Sequence, residues 1–194
     1  KTIGQDDLIS SIEKVLLGPE RKSHMLTPKE KEIVAYHEAG HALVTASLKH
    51  TDPVHKISIV ARGRAGGVTW KLPGEDRHLF SRSYFLDEIS VALGGYAAEK
   101  LVFDEITTGP HSDLERASDL ARDLVTRYGM SDKVGPAVFG ERDELIFLGK
   151  EIGRGKNYSE EMARLIDSEV RKIIDGALKK AKEIIAKKRG KLDQ

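Results

Sequence analysis

Five consecutive residues constrain this 194-residue chain more than any others: His37-Glu38-Ala39-Gly40-His41. Ten positions before them, Thr27-Pro28-Lys29-Glu30 combines a capping Thr, a Pro at the first helical position and a Glu at the third. Together these satisfy the orphan N–H groups of a helix start. The pattern predicts a helix running to about Lys49, with Ile33, His37, Gly40, His41, Val44 and Leu48 on one face. Both imidazoles therefore point inward. Buried polar rings with an acid between them need partners, so the fold must be built around satisfying them.

One divalent cation would do so. Residues four apart on a helix have Cβ atoms about 5–6 Å apart, which lets two imidazoles converge on an ion at about 2.0–2.1 Å. Glu38 is turned about 100° from His37, beside the ion, where it can take a proton from a metal-held water. The H-E-x-x-H spacing is the signature of zinc hydrolases of peptides. Catalytic zinc takes three protein ligands, and the third is not local. Metzincin spacing would need Gly at position 44 and His at 47, where Val44 and Ser47 stand, and no Glu occurs between His41 and Glu75. Glu88, Glu99, Asp104, His111 and Asp113 remain open on spacing alone.

The rest of the chain predicts a mainly helical α+β fold, bundle-like, with the H-E-x-x-H helix in the core. Leu8, Ile9, Ile12, Val15 and Leu16 form a helical stripe over 5–17, stopped by Gly18-Pro19, and a domain boundary is expected near residue 24. Val54 to Val60 and Val68 to Leu72 alternate like strands, with a turn at Gly63 to Gly67. A single helix is expected from Ser83 to Phe103, where Gly94-Gly95 suggests close approach of another backbone. Ser112 and Glu115 resemble a capping box for a helix reaching Gly129, a short strand is expected at Ala137 to Phe139, and Ser159 caps a last long helix.

Composition narrows the chemistry. The chain has no cysteine, so any metal must use His and carboxylate. Lys plus Arg (32) nearly balances Asp plus Glu (31), leaving no global field to recruit nucleic acid, and the basic tail from Lys179 to Lys191 reads as a solvated helix end. No stretch approaches the roughly 18 apolar residues of a membrane span. The chain opens at Lys1 rather than Met, and one piece of a longer polypeptide is expected.

Several blocks in order carry a family resemblance: Gly18-Pro19-Glu20-Arg21-Lys22-Ser23, Tyr36 with His37-Glu38-Ala39-Gly40-His41-Ala42-Leu43-Val44, Leu93-Gly94-Gly95 with Ala97-Ala98-Glu99, Thr107-Thr108-Gly109 with Ser112-Asp113-Leu114-Glu115-Arg116-Ala117, and Tyr128-Gly129-Met130-Ser131. From about residue 5 to 188 the chain resembles the FtsH family of AAA+ zinc proteases. It departs from that pattern at Pro110, His111 and Ser112, where the family commonly has Ala, a variable residue and Asn. The resemblance implies that residues 1–23 are the end of an ATPase module and its linker, and that 24–194 form a zinc metallopeptidase domain. It implies His37, His41 and Asp113 as ligands of one Zn2+ per subunit, Glu38 as general base and Glu99 as a support behind the ligands. It further implies unfolded polypeptide substrates, a homo-hexamer, ATP and Mg2+ bound only in an ATPase module outside this chain, and a membrane anchor elsewhere that places this domain on the cytoplasmic side of the inner (plasma) membrane. The strand at Val68, Thr69 and Trp70 is expected to pair with extended substrate as a sheet edge. A binding module without chemistry, or a zinc hydrolase of something other than peptide, are the competing readings.

Overall fold

The computed structural model describes residues 3–17, 26–60, 66–72, 77–140 and 158–194. Its elements in chain order are α1 (Gln5–Leu17), α2 (Pro28–Thr45), β1 (Val54–Ser58), β2 (Val68–Lys71), α3 (Arg82–Ala92), α4 (Gly94–Phe103), α5 (His111–Thr126), α6 (Glu160–Lys187) and α7 (Arg189–Leu192). The fold is thus mainly helical with one small sheet. The segments 18–25 and 61–65, which hold the expected domain boundary and most of the hairpin turn, lie outside the described residues.

The caps explain where helices begin. Thr27 and Glu30 exchange hydrogen bonds as a capping box on α2: the Glu30 amide donates to Thr27 Oγ1 at 3.2 Å, and the Thr27 amide donates to the Glu30 carboxylate at 2.8 Å. Ser159 accepts from the Met162 amide at the start of α6. Helix α5 behaves differently from the sequence expectation. It starts at His111 with Pro110 in the capping position and no side-chain cap, so Ser112 lies inside the first turn. The Thr108 carbonyl accepts from the His111 amide, closing a turn that starts the helix before Ser112 is reached.

Two apolar clusters organise the helices. Phe85, Ile89 and Leu93 meet Ala121, Leu124 and Ile166 in one, between α3, α5 and the first half of α6. In the other, Val44, Ala97 and Ala98 meet Ala181, Ile185 and Leu192, between α2, α4 and the second half of α6. Each large aliphatic side chain buried in this way contributes about 1.5–3 kcal/mol. The 28-residue α6 spans roughly 42 Å and reaches both clusters, binding them into one body. On α1, Leu8, Ile12 and Val15 of the expected stripe are exposed.

The expected helix from Ser83 to Phe103 is instead two helices, broken at Leu93 ahead of Gly94-Gly95. The reason is a backbone-to-backbone contact. A Cβ on Gly40 of α2 would lie 2.6 Å from the Gly94 carbonyl oxygen and 2.7 Å from Ala98 Cβ, and a Cβ on Gly94 would lie 2.9 Å from the Gly40 carbonyl oxygen. At Gly40 and Gly94 the two helices therefore bring main chain against main chain. Gly40→Ala is expected to force them apart at a cost of about 1–3 kcal/mol, visible as a lower midpoint with unchanged slope in denaturant unfolding.

Strands β1 and β2 pair antiparallel, with Ile57 opposite Thr69 and Ser58 opposite Val68, and an irregularity between Val54 and Lys56. The two strands are shorter than expected, ending at Ser58 and Lys71. No strand forms at Ala137 to Phe139; there the Phe139 amide donates to the Thr126 carbonyl, so the segment turns back along α5 rather than joining the sheet.

Candidate metal centre

Helix α2 presents His37, Glu38 and His41 to a cleft of about 940 Å³ whose walls are completed by β2, the end of α3, Glu99 of α4 and the first turns of α5. The His37 and His41 Nε2 atoms are 3.0 Å apart. Asp113 Oδ2 lies 3.1 Å from His37 Nε2 and 3.4 Å from His41 Nε2.

The tautomers follow from what stands behind each ring. His41 Nδ1 is 2.7 Å from the Val91 carbonyl oxygen, which can only accept, so that nitrogen carries the hydrogen. Val91 is the penultimate residue of α3, and the last carbonyls of a helix have no partner within it. The break at Leu93 thus places a carbonyl where His41 needs one. His37 Nδ1 is 2.7 Å from Glu99 Oε1 and donates to it. Glu99 is 1% exposed, and its other oxygen accepts from the Thr107 amide and hydroxyl at 3.0 Å each. Burial pushes the Glu99 carboxyl up, but the bonds from His37 and Thr107 outweigh it and hold it below its usual value.

With both Nδ1 atoms committed as donors, two neutral rings turn bare Nε2 lone pairs toward each other and toward a carboxylate oxygen. Three electron-rich atoms this close require a shared cation. Without a metal that cation is a proton. Burial pushes the His37 imidazole down, yet the hydrogen bonds to Asp113 and Glu99 prevail and lift it to about 9. Burial likewise pushes Asp113 up, but the close His37 ring, which shares its proton with the carboxylate, and the neighbouring His41 ring hold it well below the usual carboxylate range. Asp113 also sits in the first turn of α5, where the helix dipole favours negative charge.

The other carboxylates left open by spacing fall elsewhere. Glu88 is buried and accepts from Lys71 Nζ at 2.6 Å and from Arg116 at 3.2 Å, fastening β2 and α5 to α3 along the cleft. Asp104 ends α4 in a left-handed conformation, φ 51°, paired with Lys100 at the surface. His111 lines the cleft but is not among the donors that converge. Among the described residues, His37, His41 and Asp113 are the group whose ligand atoms could hold a metal ion.

Of the expected edge-strand residues, Val68 and Thr69 line the cleft, while Trp70 packs its ring edge-on against His55 at 4.9 Å. Sequence reasoning did not foresee Gly95, whose missing side chain makes room for the His37 ring. Its signal was present in the Gly94-Gly95 pair, which has no reason to sit inside a helix unless something lies against it.

The model of peptidase family M41 matches residues 24–194. The chain belongs to peptidase family M41. This M41 chain is 53% identical over 193 residues to the ATP-dependent zinc metalloprotease FtsH 1 of Sphaerobacter thermophilus, an alignment covering 100% of this chain and 30% of that protein. It is 52% identical to the ATP-dependent zinc metalloprotease FtsH of Pseudothermotoga lettingae, covering 99% and 31%, and 47% identical to FtsH 3 of Synechocystis sp., covering 99% and 32%. The M41 chain therefore spans about a third of the length of these relatives.

Proposed function

We propose that this chain is the zinc-dependent endopeptidase unit of an ATP-dependent protease, with His37, His41 and Asp113 holding the metal and Glu38 acting as general base. The observation that carries the reading is the convergence of three donor atoms at 3.0, 3.1 and 3.4 Å. Tetrahedral zinc with donors at about 2.0–2.1 Å requires donor separations of about 3.3–3.4 Å, so small adjustments suffice. The donor set, two imidazoles and a carboxylate, suits zinc and leaves a coordination position open.

When bound, zinc supplies Lewis acidity, polarising the scissile carbonyl and making water acidic near neutral pH. This chain's residues do the rest. Glu99 and the Val91 carbonyl hold both imidazoles with Nε2 bare toward the metal. Glu38, 7% exposed at the cleft wall, accepts the proton of the attacking water and returns it to the leaving amine. Strand β2 is hydrogen-bonded to β1 on one edge. Its outer edge would take an extended peptide by main-chain pairing, with little demand on side chains.

The family relationship supports the wider assignment: residues 1–23 as the end of an ATPase module and its linker, 24–194 as the peptidase, unfolded or membrane-extracted proteins as substrates, and a homo-hexamer as the working assembly. None of the described helices is long and apolar enough to cross a membrane, so attachment on the cytoplasmic face would come through other segments.

Metal binding should be linked to protons. Bare Nε2 is needed for coordination, and His37 in the metal-free protein keeps its proton to about pH 9. Zinc uptake near pH 7.5 should therefore release a proton, and affinity should rise as pH climbs toward 9. In the metal-free fold the raised value of His37 gives stability that is full below its ordinary 6.5 and lost as pH passes about 9. Calorimetric titration of zinc in buffers of differing ionisation heat tests this. Uptake with no proton release, or cleavage of an unfolded protein undiminished by a chelator that removes all metal, would contradict the assignment.

A further inference from the structure

Glu38 has a flexible side chain, yet a general base must present one oxygen to one proton. The structure shows what restrains it. Thr69 Oγ1 of β2 lies 2.7 Å from Glu38 Oε2 and 3.0 Å from the Glu38 backbone carbonyl oxygen. One hydroxyl has one proton, and the charged, closer carboxylate oxygen is the better acceptor. Two residues earlier in the same segment, a Cβ on Gly67 would lie 2.8 Å from both Glu38 Cγ and Oε1. The start of β2 is thus packed against the stem of Glu38, and no other described residue donates to its carboxylate. Thr69 is itself held in register opposite Ile57 by the pairing with β1.

We infer that Thr69 is a positioning residue for the base: its hydroxyl fixes Glu38 Oε2, and the bare backbone at Gly67 lets the strand come close enough to do so. This rests on the reading of Glu38 as base. It gives the residue a role different from main-chain pairing with substrate, because its side chain faces the enzyme's own carboxylate. Positioning errors of about 1 Å can cost about a hundredfold in rate, so the hydroxyl matters without touching the metal.

The test compares Thr69→Val, Thr69→Ala and Thr69→Ser in the full-length, zinc-loaded protein on an unfolded protein substrate. The Val variant keeps the shape and loses the donor. It should lower kcat about 10- to 100-fold with KM within about twofold and zinc content unchanged, and Thr69→Ser should recover kcat to within about threefold of the parent. Crystal structures supply a readout independent of turnover: the Glu38 carboxylate should hold one rotamer in the parent and the Ser variant, and more than one in the Val and Ala variants. An unchanged kcat in Thr69→Val, a single parental Glu38 rotamer in that variant, or failure of Ser to restore what Val loses would overturn the inference. If Glu38→Gln itself remained active, the underlying reading would fall instead, which separates the two.

Discussion

Glu38→Gln should leave the protein folded and loaded with one zinc ion, yet unable to cleave an unfolded protein such as casein. The substitution preserves the length and shape of the side chain, and the amide oxygen can still accept from Thr69 Oγ1, which now lies 2.7 Å from Oε2. What disappears is basicity. Glu38 is the carboxylate that α2 brings to the cleft wall, so the amide leaves that position without a base. The expected loss is at least about 10²–10⁴ in kcat, with metal content by elemental analysis equal to the parent. Retained proteolysis in a metal-loaded variant would remove Glu38 from the role.

Asp113→Ala should act on the metal rather than on the proton. It removes one of three converging donors and leaves two imidazoles whose Nε2 atoms stand 3.0 Å apart. Outer partners of metal ligands are worth about 10–100-fold in affinity, so loss of a ligand should exceed about 100-fold, whereas Glu99→Gln should stay within that range. A second signature exists in the metal-free protein. The bond to Asp113 is one of the interactions that lift His37 to about 9, so in the Ala variant the imidazole should titrate lower, followed by its ring-proton resonances. Stoichiometric zinc in a folded Asp113→Ala protein would exclude Asp113 as a required ligand.

The parts of this arrangement that could be read in the sequence are those set by local geometry. The spacing of His37 and His41 on a capped helix already requires neighbouring rings, and the structure brings their Nε2 atoms together. The caps at Thr27 and Ser159, the helix over 5–17 and the antiparallel pair β1–β2 follow from the same short-range rules. Asp113 is different. It joins His37 across 76 positions of sequence, and periodicity has no means of choosing it over Glu88 or His111; only the family resemblance did so. The break at Leu93 was missed because the apolar stripe continues through it in helical register, while the cause, the backbone of α2 lying against Gly94, is a tertiary contact. The strand expected at Ala137 to Phe139 failed for a related reason: short apolar runs take whichever partner the fold offers, and here it is the end of α5.

The contact of Gly40 with Gly94 has a mechanical meaning. At the one crossing point where Gly40 of the helix that carries both imidazoles meets Gly94 of the helix that carries Glu99, there are no side-chain torsions to turn, since each glycine meets the other's main chain directly. Rotamer hopping, the softest motion in a packed interior, has nothing to act on at that seam. The spacing of His37 from its brace is consequently set by the stiffness of peptide units rather than by how neighbouring side chains settle, and warming should loosen the outer walls of the cleft before it disturbs the ring pair.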